Sequence, residues 1–285
     1  MKRSFDDDLL TTGSADNIAA EPTHGSLPGS RHHVTIGCAV LVILSLKLCT
    51  WGIYWGMPAA VSWAPDTIAG SRTLYTIGHG PTDWPTHYPP FHFYINRLAY
   101  SPVLDYWHRA GQCNMDSKTG SISLAPPITD KLSLLVMTSR AITVLMSIAS
   151  VLVLAAVAST LFADWTTGFF AGLTLATCAE WVYFSHLGTL DIPHMFWFTL
   201  SLYAYVRAWQ TDAWPHYLLL GLCTALAVST KDAVAGMYLG IALVLAITRV
   251  SRKRRSGACI IESLLAAVHP KMLCGLLSCL LPYAL

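Results

Sequence analysis

The chain has 285 residues, of which 54% are apolar and only 12% charged, and its mean hydropathy is +0.48. Soluble domains carry about 25% charged residues, so this composition excludes a disordered chain and speaks against an ordinary soluble enzyme. A net charge of +2 gives no electrostatic footprint for nucleic acid, and the class that remains is an all-α integral membrane protein, a polytopic helical bundle.

Residues 1–33 are polar and rich in turn formers, with Asp6, Asp7 and Asp8 near the start and His32 and His33 at the end. Such a stretch buries too little apolar area to order itself and is expected to be a flexible tail. A long polar lead before the first apolar run is unlike a cleavable signal peptide. A transmembrane helix needs about 20 mostly apolar residues. Residues 34–57 meet this with Lys47 as their one charge, and residues 141–163 meet it with none. Residues 166–184, 192–209, 214–230 and 233–250 are shorter and interrupted by polar side chains, and they predict four more helices of a packed bundle. Residues 259–268 read as a short amphipathic helix along the interface. Residues 272–285 are too short to cross, being either re-entrant or a span that the chain leaves unfinished. Residues 58–140, rich in Trp, Tyr, His and Pro, predict a long extracytoplasmic first loop carrying short interfacial helices. Residues 34–285 as a whole form the expected transmembrane domain. Of eight cysteines only Cys113 stands in a polar segment, so no disulfide framework or zinc pair is legible.

The densest basic cluster, Arg249, Arg252, Lys253, Arg254 and Arg255, follows the sixth run and by the positive-inside rule is cytoplasmic. Counting back through six spans puts the N-terminus on the same side, in agreement with Lys2, Arg3 and Arg31. The long loop, the turn 188–191 and the turn 230–232 then all lie outside.

Charged residues at membrane depth are costly and are functional candidates by default. The threading collects Asp66, Tyr88 beside His87, Arg140, Glu180, His186, Asp191 and Lys231 with Asp232 at the outer face. A polar constellation under an aromatic loop suits an amphiphilic substrate reaching in from the bilayer. Each candidate also has a plain structural reading. Asp66 ends a turn after Pro65, Pro89-Pro90 starts a helix, Asp191 caps one, and Arg140 and Lys231 snorkel to the headgroups. His186, Asp191 and His194 are too few, on connections too short, to make a metal the expectation. Lys47, pointing into the bundle, would pair with an acidic neighbour. The Trp and Tyr clusters mostly form the interfacial aromatic belt.

Four segments, read in order, resemble a family. They are SWAPDTIAG after the first run, HYPPFHFYINRL in the insert, LGTLDIPHMFWFTLSLYAYVRA at the fourth run and STKDAVAG before the sixth. Together, over about residues 34–250, they are similar to the GT-C glycosyltransferases that use polyprenyl-phosphate sugars, the group of protein O-mannosyltransferases and the lipid A aminoarabinose transferase. The resemblance implies a membrane glycosyltransferase that moves a sugar from a polyprenyl-phosphate donor to a protein, lipid or glycan acceptor on the extracytoplasmic or luminal face. It implies no metal requirement. It places Asp66 at the position of the acidic residue that activates the acceptor, although Thr67 follows where relatives often have Glu. Asp191 matches a second outer acidic position. Lys231 and Arg140 match cations near the donor phosphate. Tyr88 stands where relatives commonly carry His or Lys before Pro-Pro, with His87 one position earlier. His186 is a further substrate-binding candidate. Relatives usually have more spans than this chain. The competing readings are a non-catalytic membrane protein, either a transporter or a partner-binding subunit, and an inactive fragment of such a transferase. A transporter should show mid-bilayer charges and internal repeats; here only Lys47 is deep, no repeat is evident, and the polar residues cluster at one face.

Overall fold

The computed structural model describes residues 28–58, 67–68, 70–71, 73–75, 88–116, 122–265, 270–271, 273, 275 and 277–278. Asp66, His87 and most of the expected tail lie outside them. Helix α1 (Pro28–Thr50) begins earlier than the apolar run suggests, and the chain after it turns over residues 51–58. Helix α2 (Phe91–Arg109) follows Pro89-Pro90, so the two prolines do set its first turn. Strands β1 (Cys113–Met115) and β2 (Ile122–Leu124) make a small antiparallel ladder with Cys113 opposite Leu124.

The expected second span, 141–163, is the far part of a longer helix, α3 (Ile128–Phe162), of 35 residues. At 1.5 Å per residue it is about 52 Å long, well over the hydrocarbon thickness. Its first turns are apolar for a different reason than lipid contact. Leu132 and Leu135 pack with Leu74, Tyr100, Leu104, Trp107 and Cys113, making the core of the insert. The insert is therefore built around the protruding end of α3.

Ala163 ends α3 in the left-handed region, and the Asp164 carboxylate accepts from Thr166 N at 3.1 Å and Thr167 N at 2.7 Å, capping α4 (Trp165–Thr177). The α3–α4 crossing is tight. A Cβ on Gly168 would stand 2.5 Å from the Ala155 carbonyl oxygen, so glycine permits the close approach that packs membrane helices. The expected third span, 166–184, is not one helix. Cys178 takes an extended backbone (φ −64°, ψ 120°) and separates α4 from α5 (Ala179–Ser185). Helices α6 (Asp191–Thr211) and α7 (Trp214–Val228) follow. A 3₁₀ turn (Asp232–Val234) leads into α8 (Ala235–Arg255), and α9 (Ile260–Leu265) falls within the expected interfacial helix 259–268.

Helix α3 is central, with α1, α4 and α6 against it and α7 against α6. The core joins Leu41 of α1 to Val151, Ala155 and Ala176. Among the described residues, three helices are able by length and composition to cross a membrane alone: His32–Thr50, Ile128–Phe162 and Asp232–Arg255, while Trp214–Val228 is apolar but shorter. Three of the six expected spans thus have the length and composition to cross; the fifth is a shorter apolar helix, the third is broken at Cys178, and the fourth is a helix diluted by Asp191, His194 and Arg207. Ile43, Leu145 and Leu239 are 67%, 66% and 75% exposed, as befits helices facing hydrocarbon. Lys47 is not inside the bundle. It is exposed in the last turn of α1, with Nζ 4.3 Å from the Trp51 ring centroid, a cation–π contact in an interfacial position.

The bundle has two unlike ends. One carries the insert. At the other, Asp212, left-handed at the end of α6, receives Lys271 Nζ at 3.0 Å, Tyr217 OH at 2.9 Å and the Arg249 guanidinium. Burial pushes the Asp212 carboxyl up, but hydrogen bonds from Lys271, Tyr217 and Arg249 outweigh this and hold it below its ordinary range. Helix α8 has Leu245 as its buried residue, packed with Ile241 against Ala208, Trp209 and Tyr217. Polar contacts fasten it as well, among them Arg249 at Asp212, Arg252 at the Trp209 carbonyl and Tyr238 OH, 3.0 Å from Ser201 Oγ.

Candidate functional site

Three hydrogen-bonded joints bring the separated motifs together at the insert end. Ile68 N, two residues after Asp66, donates to Gly188 O at 2.9 Å. Phe91 N, directly after Pro90, donates to Ser229 O at 3.1 Å. Lys231 Nζ reaches Asp191 Oδ1 at 2.7 Å, each side chain about a quarter exposed (25% and 26%). Ile68, Phe93, Leu190 and Tyr88 pack together beneath them. Segments far apart in sequence, 67–68, 88–93, 188–191 and 229–231, therefore share one place.

Local sequence explains each position. Asp191 opens α6 and favours its dipole. Helix α7 ends at Val228, and Lys231 has extended backbone (φ −151°, ψ 112°), which turns its side chain across to α6. Tyr88 precedes the prolines that start α2, so its ring is carried into the apolar cluster. Phe91 and Trp197 of α6 meet edge-on at 5.8 Å.

Arg140 and His186 are engaged with the end of α1. The Arg140 guanidinium donates to Ile53 O and, at 3.0 Å, to Trp55 O, and it is buried. His186 Nε2 lies 2.9 Å from Leu48 O. Among the described residues neither bonds to the Asp191–Lys231 pair. The His194 ring is turned to Leu190 O, at 2.9 Å, and among the described residues no group of three or more His, Cys, Asp or Glu converges.

Sequence reasoning missed a buried polar seam. His92, Asn96 and Tyr100 recur every four residues along α2 and are 1%, 0% and 0% exposed. Tyr100 OH bonds to Ser139 Oγ of α3 and accepts from Gly70 N at 3.2 Å, and Ser139 Oγ donates to Asn96 Oδ1 at 3.1 Å. The signal was available as polar residues at helical spacing in an aromatic-rich helix. The joint at Ser229, a backbone carbonyl, had none.

What such a site can do follows from its groups. A lysine held beside a carboxylate offers a fixed cation to an oxyanion. The apolar cluster of Ile68, Tyr88, Phe93 and Leu190 beside that cation suits a polar group attached to an apolar chain.

Residues 135–273 match the family model described as dolichyl-phosphate-mannose-protein mannosyltransferase. Among solved structures, the S. cerevisiae protein O-mannosyltransferase Pmt1–Pmt2 complex bound to the sugar donor is similar in fold, with a TM-score of 0.60 at 17% identity. The similarity covers 88% of this chain and 33% of that one, so this chain spans about a third of its length. No curated protein matches the sequence significantly. The chain is thus a multi-pass helical membrane protein of the architecture that the four motifs implied.

Proposed function

We propose that this chain, with the fold of a GT-C mannosyltransferase, is a membrane glycosyltransferase that moves a sugar from a polyprenyl phosphate to a hydroxyl acceptor. The yeast complex is bound to a sugar donor and the matching family uses dolichyl-phosphate mannose, so a dolichyl- or related polyprenyl-phosphate sugar is the donor of this reading. The acceptor is a protein, lipid or glycan hydroxyl at the insert end, taken as the extracytoplasmic or luminal face.

One observation carries this reading: the joints at Gly188, Ser229 and Asp191–Lys231 assemble all four family-like motifs at one place. In the mechanism, Asp66 takes the proton of the acceptor hydroxyl, since a hydroxyl needs a positioned base to attack. The oxygen attacks the anomeric carbon, and the bond from that carbon to the phosphate oxygen breaks. The polyprenyl phosphate leaves as an anion. Lys231, oriented by Asp191, stabilises that charge. A single displacement inverts the anomeric configuration. Tyr88 and His87 are the donor-side candidates of this reading, while Arg140 and His186 hold the end of α1.

The test is transfer of labelled mannose from dolichyl phosphate mannose to endogenous acceptors in membranes holding the full chain. Asp66→Asn is expected to lower it about 10²–10⁴-fold at unchanged abundance. Near-normal transfer by that variant removes Asp66 from the mechanism, and no transfer by the wild-type chain favours the non-catalytic reading.

A further inference from the structure

The basic end of the bundle holds more cations than its own carboxylates answer. Arg249 and Lys271 share Asp212. The Arg252 guanidinium donates to Trp209 O at 2.6 Å and lies 6.0 Å from that indole ring. Beyond them Lys253, Arg254 and Arg255 are exposed in the last turn of α8. Among the described residues none of these three meets an acidic side chain.

Their height in a bilayer follows from their neighbours. Leu239, Leu243 and Ile247 of α8 are exposed and recur every four residues, making the stripe that faces hydrocarbon. Arg254 stands about two turns past Ile247, so it continues that stripe, with Lys253 and Arg255 on either side. Trp209, bonded to Arg252, and the exposed Trp214, just after Asp212, mark the headgroup level at the same end. The three cations therefore stand among headgroups, at the end of the lipid-facing stripe.

The chain after the cations folds so that apolar side chains join them. Gly257 is left-handed (φ +86°), its N donates to Arg254 O at 3.0 Å, and Ala258 N donates to Lys253 O at 3.4 Å. These two bonds are a Schellman closure, and after it α9 stays in contact with α8. Ile260 and Ile261, 60% and 71% exposed, are thereby held close to the basic turn. A basic face beside exposed branched apolar side chains is the pattern of an element lying in an anionic interface.

We propose that Lys253, Arg254 and Arg255, with Ile260 and Ile261, form a site for an anionic phospholipid in the leaflet at the basic end. The acidic groups of the headgroup meet the cations, and the isoleucines enter the acyl boundary. Unanswered positive charge selects an anionic headgroup over a zwitterionic one, which carries its own cation. The surface lies at the opposite end from Asp191–Lys231 and does not rest on the glycosyltransferase reading.

The experiment reconstitutes the full chain in phosphatidylcholine membranes and compares how much spin-labelled phosphatidylserine and spin-labelled phosphatidylcholine it immobilises. Each Lys or Arg near an anionic surface strengthens binding about fivefold, so wild type is expected to prefer phosphatidylserine by about fivefold or more. Lys253→Gln, Arg254→Gln and Arg255→Gln together should remove most of that preference with unchanged helical circular dichroism, since all three are exposed. Ile260→Ser with Ile261→Ser should also lower phosphatidylserine retention, and unchanged retention in that variant overturns the place of α9 in the site. Lys47, Arg97 and Arg109 are exposed cations toward the insert end, and replacing them by Gln removes the same charge elsewhere. Equal retention of the two lipids by wild type overturns the inference, and so does a preference that survives loss of Lys253, Arg254 and Arg255. A loss just as large in the insert-end variant overturns it as well, because net charge and not this surface would then govern.

Discussion

The Asp191–Lys231 pair separates two accounts of its chemistry. Its nitrogen–oxygen distance is 2.7 Å and both side chains are about a quarter exposed. Exposed pairs contribute about 0.2–1 kcal/mol, and breaking a fully buried one costs about 3–5 kcal/mol. An intermediate exposure puts this pair near 2 kcal/mol, or about 30-fold in any equilibrium that breaks it. The catalytic effect should be larger. In the proposed mechanism Lys231→Gln removes the cation that meets the leaving phosphate, which by analogy with other oxyanion donors lowers kcat about 10²–10³-fold, with donor KM little changed because the charge develops in the transition state. Lys231→Arg should keep part of the rate. If Asp191 works by orienting Lys231, the two residues act as a unit and their losses do not multiply. The double variant Asp191→Asn with Lys231→Gln should then be no slower than Lys231→Gln alone. The assay is single-turnover transfer at saturating donor for wild type, each single variant and the double. Multiplied losses would show that Asp191 touches the reacting groups itself, and a Lys231→Gln rate within a small factor of wild type would leave Lys231 an interfacial anchor.

Arg140→Met should lower the unfolding temperature, since it strips a buried donor from the Ile53 and Trp55 carbonyls; about 1–3 kcal/mol is at stake, and an unchanged melting curve contradicts that role. Asp212 is a carboxyl held low in the folded state, so its contribution is full above its unfolded value of about 3.9 and fades as pH falls through the folded one. Asp212→Asn should therefore destabilise the chain at pH 7 and approach wild type below about pH 4, which a series of melts across pH checks; a gap that stays constant into acid rejects the linkage. Cysteines placed at Gly188 should react with an impermeant thiol reagent from the extracytoplasmic side and those at Ser256 should not, and the reverse pattern inverts the orientation.

The helical runs were legible where apolar composition alone determines the element, as in α1, α7 and α8. Boundaries failed where a helix changes surroundings along its length. Helix α3 is apolar toward lipid in one part and apolar toward Leu74, Tyr100 and Trp107 in another, and a window tuned to the bilayer sees only the first. The break at Cys178 leaves no trace in hydropathy, because both flanks are apolar. At the site, order along the chain carried the information, and the four motifs do meet. What the sequence could not convey was which candidates share a partner. Arg140 and His186 turn to carbonyls of the α1 end, and backbone acceptors have no residue signature.

The chain from Lys231 through α8 is held along α6 at several points: Lys231 at Asp191 at the insert end, Tyr238 at Ser201 between, and Arg249 at Asp212 with Arg252 at the Trp209 carbonyl at the basic end. The two ion pairs stand about 30 Å apart at 1.5 Å per residue. A helix slipping past its neighbour moves by a whole turn, about 5.4 Å, and such a step would break both ties together. The arrangement works as a gauge of register: the axial height of Lys231 over Asp191 is tied to a carboxylate at the opposite end of the bundle, so a shift of α8 along its axis is felt at both ends at once.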